Sequence, residues 1–145
     1  MMRSFLLAGI VLSWIGACAS HRVPEPALAE VHSAQLRSHM GELGNVVLTD
    51  LSSATRGPVL RQDLVRIAED LRAISARLPD VVYSLDLDAD DRAHFVTFAD
   101  SLGGSAARLS EAAVSAPPEI VEARIDDVTK TCAGCHWAFR VGPGS

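Results

Sequence analysis

The chain has 145 residues, 48% of them hydrophobic, with a formal charge of −5. That length suits one domain rather than two, and the hydrophobic share excludes a disordered chain. Charged residues make up 21% and include a single lysine, Lys130, so no basic stripe of the kind nucleic-acid binding needs is present. Aromatics are only 5%, while Ala and Leu abound, which favours helices over a sandwich or barrel. Three cysteines cannot form a disulfide framework, so their individual positions carry the information.

Residues 1–17 contain one charge, Arg3, and an apolar run from Phe5 to Ala17. The run is too short for a membrane span and reads as an export signal. Ile15-Gly16-Ala17-Cys18 resembles a bacterial lipobox, in which Cys18 is acylated and becomes the first mature residue. The alternative is ordinary cleavage at Ala17-Cys18-Ala19, which leaves a soluble periplasmic chain. The lipoprotein reading is favoured, and with Ala19 after the cysteine it implies an outer-membrane anchor. Loss of Arg3 takes the charge to about −6. Residues 18–26 then form a short polar tether, and 27–145 the domain.

Within 27–145 apolar residues recur at spacings of three and four, the helical period. The first stretch, 27–54, carries Leu36, Met40, Leu43, Val47 and Leu51. The second, 59–78, carries Leu60, Leu64, Ile67, Leu71, Ile74 and Leu78. The third, 89–114, runs through Phe95, Phe98, Leu102, Ala106, Leu109 and Ala113, with Asp86 or Asp88 as cap. The fourth, 118–141, runs through Val121, Ile125, Val128, Cys132, Cys135 and Phe139. Gly57-Pro58, Pro79 and Pro117-Pro118 punctuate the breaks. The pattern predicts an all-α chain, an antiparallel four-helix bundle, with the apolar connection 79–88 folded over one end. Gly103-Gly104 inside the third helix signals either a kink or the close approach of something flat.

Cys132-Ala-Gly-Cys135-His136 is C-x-x-C-H, the attachment signal for a c-type haem. Two thiols three residues apart on a helix can each reach one haem vinyl group, and the adjacent imidazole can reach the iron. Three other readings compete with it. A zinc site lacks a fourth ligand. A redox dithiol belongs at a helix start after a strand. A structural disulfide needs no histidine.

A four-helix chain whose motif lies near the C-terminus and continues His136-Trp-Ala-Phe139-Arg140 resembles the cytochrome c′ family, including its low-spin members. At residue level the resemblance is specific around 132–140 and looser around Met40. It implies one covalent haem c on Cys132 and Cys135, with His136 as axial ligand and Arg140 beside a propionate or a carboxylate at the bundle end. It also implies a methionine ligand on the first helix. Met40 is the one methionine left after the signal and lies mid-seam, so it is expected as the sixth ligand, although an apolar seam methionine is also ordinary core filling. Arg37 precedes it by three residues where some members have four, which turns a propionate contact by about 100°.

His39, His32 and His94 are rival ligands, each expected to be solvated or hydrogen-bonded instead. Trp137 and Phe139 are expected to wall the pocket, although Trp137 suits the surface equally well. The expected function is one-electron transfer facing the periplasm, without enzymatic chemistry. The alternative is a five-coordinate module that binds nitric oxide or carbon monoxide. A redox partner protein, an anchor in the membrane and a homodimer through the first two helices complete the expectations, with no nucleic acid.

Overall fold

The computed structural model describes Leu28 and residues 33–51 and 61–141. The expected signal at 1–17, Cys18, the expected tether at 18–26, His32 and Gly57-Pro58 lie outside the described residues. What is described is all-α. Helix α1 spans Ala34–Asn45 and runs on as a π turn, Val46–Leu51. Helix α2 spans Arg61–Ser75, the single-turn α3 Leu78–Val81, α4 Ala89–Ser115 and α5 Pro118–His136, which runs on as a second π turn, Trp137–Val141.

Local chemistry explains the boundaries. The first helix starts at 34, not 27, because the Ser33 hydroxyl accepts the Leu36 N–H and caps it. Leu28 instead sits in a turn, and its N–H donates to the Phe139 carbonyl at 2.9 Å. The second stretch stops at Ser75, and a turn at Ala76-Arg77 precedes Pro79 in the first turn of α3. Asp88, not Asp86, caps α4 by accepting the Asp91 N–H at 2.8 Å. The carboxylates of Asp90 and Asp91 in its first turn also suit the positive end of the helix dipole. At the other end, Arg61 from α2 donates to the carbonyls of Ala113 and Ala116 at 3.2 and 3.0 Å.

Helix α4 is the spine of the molecule, packing against both α2 and α5. Leu71, Leu109, Ala106 and Val128 are completely enclosed, each large side chain contributing about 1.5–3 kcal/mol by burial. Gly103 is a site of close packing: a Cβ there would stand 3.0 Å from the Ser75 Oγ of α2. The neighbouring helix, rather than a flat ligand, is what approaches this backbone, and α4 continues through it as an unbroken helix. The connection 79–88 folds onto the core through buried Val81, Val82, Leu85 and Leu87, leaving Tyr83 exposed. Helix α1 packs on α2 and α3, with Arg77 and Glu42 bridging at 2.5 Å.

Candidate functional site

Between α1 on one side and α4 and α5 on the other lies a cavity of about 360 Å³. It is within the size range of small-molecule and cofactor sites and is lined mainly by apolar groups. Met40, Leu43, Gly44 and Val47 line it from α1 at the i, i+3, i+4, i+7 positions of one helical face. Phe95, Phe98 and Leu102 line it from α4, and Cys132, Cys135 and His136 from α5. Arg140, on the π turn, completes the wall. Met40 and both cysteines are half-buried, whereas His136 and Arg140 are exposed, so the cavity opens on their side.

The cavity's shape depends on two glycines. A Cβ on Gly134, inside the C-x-x-C-H motif, would meet Phe98 Cε1 at 3.3 Å, so glycine there lets α5 settle against the aromatic wall. A Cβ on Gly44 would meet nothing within 4 Å. Gly44 lies one turn beyond Met40 and leaves the space beside it open. Neither role follows from the sequence, because each depends on which helices meet across the cavity. Thr131 and Leu78 also line the cavity; Thr131 carried no sequence signal, and Leu78 was readable only as an apolar seam residue.

Phe139 is buried but stands behind the wall. Its ring meets Phe95 edge-on at 5.7 Å between centroids and Phe98 at 6.1 Å. Such T-shaped contacts fix the two rings that do face the cavity. Trp137 is 57% exposed and belongs to the surface rather than the wall. Arg37 is exposed on α1 and does not line the cavity, whereas Arg140 does. His94 is exposed, as expected. His39 is not: it is buried, and its Nδ1 has no hydrogen-bond partner among the described residues, the Glu42 carboxylate lying 3.8 Å away. Neither histidine lines the cavity.

Both thiols are neutral near pH 7. Burial pushes Cys135 up to about 11, with the proximity of Cys132 adding to it, and burial raises Cys132 as well. A nucleophilic dithiol needs the opposite shift. Among the described residues, no three His, Cys, Asp or Glu side chains are gathered as a metal ion would need, so Cys132, Cys135 and His136 do not converge as zinc ligands do.

The donors present fit a haem better than a zinc ion or a reactive dithiol. Two unionised thiols, an exposed imidazole and a thioether face one apolar space that a Cβ at Gly44 would begin to fill. No helix among the described residues is long and apolar enough to cross a membrane. Searches of family models, curated proteins and solved structures gave no match to the chain.

Proposed function

We propose that this chain is an exported c-type cytochrome: an antiparallel four-helix bundle that carries one covalent haem and passes single electrons. The observation that carries the reading is convergence. Met40, near the start of the described chain, and Cys132, Cys135 and His136, near its end, line the same apolar cavity. A methionine that merely fills core has no reason to share a cavity with a C-x-x-C-H motif.

Cys132 and Cys135 would hold the haem as thioethers, His136 and Met40 would ligate its iron, and Arg140 would offset a propionate charge at the open side. Bound there, the haem iron supplies a one-electron couple, and a Met/His pair sets its potential higher than harder ligands would. The protein's own contribution is to keep water away. Phe95, Phe98 and Leu102 present hydrocarbon on one wall, and Leu43 and Val47 on the other. Low polarity favours the less charged, reduced state. No acid, base or nucleophile is needed, so the function is electron transfer rather than enzymatic catalysis. With an export signal at 1–17 and acylation at Cys18, the domain would face the periplasm from the outer membrane and meet a redox partner protein there.

The visible spectrum of the reduced, haem-loaded protein tests this reading. The wild type should be low-spin and six-coordinate, and Met40→Ala should convert it to high-spin with a lower potential. A wild type already high-spin, and indifferent to Met40→Ala, would sink the Met40 assignment and move the reading to nitric oxide or carbon monoxide binding.

A further inference from the structure

Thr131 lines two spaces at once. One is the cavity just described, and the other is a polar groove of about 480 Å³ that includes Asp100, Ser105 and Arg108 of α4. Thr131 therefore forms part of the partition between an apolar interior and a wet surface. Its hydroxyl donates to the Asp127 carbonyl at 2.9 Å. With that hydrogen committed, Ser105 is left to donate to Thr131 Oγ1 across a long 3.5 Å. Ser105 Oγ in turn accepts from Arg108 Nη2 at 3.0 Å. Ser105 is only 3% exposed, so a buried hydroxyl joins an exposed guanidinium to the helix that carries the cysteines. A buried polar group is tolerated when it is satisfied, and here the satisfaction comes from a cation.

The geometry points to Arg108, Ser105 and Thr131 as a positioning network that closes the cavity against the groove and raises the reduction potential of its haem. The inference rests on the cytochrome reading above. Oxidised iron carries one more positive charge than reduced iron, so a cation anchored to the cavity wall disfavours oxidation. The network also ties the Thr131 hydroxyl into the seam between α4 and α5, which keeps groove water out of the apolar space. Both effects act in the same direction. The Asp100 carboxylate in the same groove opposes the charge effect, but it has no hydrogen bond to this chain of donors.

Equilibrium redox titration of the full haem-loaded protein tests the inference. At the wild-type midpoint, Arg108→Gln should lower the ratio of reduced to oxidised protein about threefold. That is about 28 mV at 59 mV per tenfold for one electron. Arg108→Lys keeps the charge and should retain most of the wild-type potential. Thr131→Val removes the hydroxyl at nearly constant shape and should lower it. The Arg108→Gln effect should shrink in about 1 M salt, because an exposed charge is screened there. Unchanged potentials in Arg108→Gln and Thr131→Val, with a wild-type spectrum, would overturn this inference alone. An equal fall in Arg108→Lys and Arg108→Gln would overturn the charge bias. A wild-type chain without a haem spectrum would overturn the cytochrome reading itself, and this inference with it.

Discussion

Gly44→Leu should stabilise the haem-free chain and at the same time block the cofactor. The position faces the cavity, and a Cβ there would touch nothing within 4 Å. A leucine there starts from open space and extends toward the apolar cavity. Burying most of that side chain contributes about 1.5 kcal/mol, the low end for a leucine because the cavity is partly open. Replacing a mid-helix glycine adds about 0.8 kcal/mol of helix propensity. The haem-free chain should gain about 2 kcal/mol, which is about 8 °C in Tm at this chain length. The same leucine occupies the space beside Met40, so covalent haem per chain should fall severalfold when the variant is expressed with a cytochrome maturation system. Gly41→Leu is the control. Gly41 also has open space around it but is exposed and does not line the cavity, so it should gain only the propensity term and load haem normally. The assays are thermal unfolding by circular dichroism without haem and haem absorbance per protein with it. Wild-type haem loading in Gly44→Leu, or a loss of haem-free stability, would refute the assignment of this cavity.

Other expectations follow from local contacts. Arg61→Ala removes both side-chain bonds to the α4 terminus and should cost about 1 kcal/mol in denaturant unfolding, with no change in the haem spectrum. Gly103→Val should destabilise by about 1–3 kcal/mol, because Ser75 Oγ is held in place by its own bond to the Arg72 carbonyl at 2.9 Å. The haem-free thiols should alkylate with rates that keep rising past pH 9, since Cys135 lies at about 11. A plateau below pH 8 would instead favour a redox dithiol. Leu109→Ala, at a fully enclosed core position, should cost about 2–5 kcal/mol.

The helices were readable because a buried stripe needs apolar residues at a period near 3.6, and every seam from Leu36 to Phe139 supplies them. Ends were harder. At Ser33 and Asp88 a side-chain cap marks the start of a helix, but two residues of the right type stood near α4 and only the fold selects Asp88. The π turns at Val46–Leu51 and Trp137–Val141 had no sequence signature, since the register at a helix end is settled by what it packs against. The C-x-x-C-H motif was legible because three chemically demanding residues fall within one helical turn and a half. Met40 stood out as the one methionine beyond the expected signal, and the fold places it in the cavity wall. Thr131, Gly44 and Leu78 did not stand out, because their roles come from helices distant in sequence meeting across one cavity. The burial of His39 was hidden for the same reason: a polar residue one step off an apolar seam reads as solvated until its neighbours are in place.

The central claim is that Cys132 and Cys135 hold one haem covalently. Expression of the full chain with a cytochrome maturation system, followed by intact mass and acid–acetone extraction, tests it most directly. One added haem mass per chain is expected, with the colour staying on the protein and lost in Cys132→Ala/Cys135→Ala. A colourless chain at its unmodified polypeptide mass, or a pigment that washes out in acid–acetone, would contradict the account.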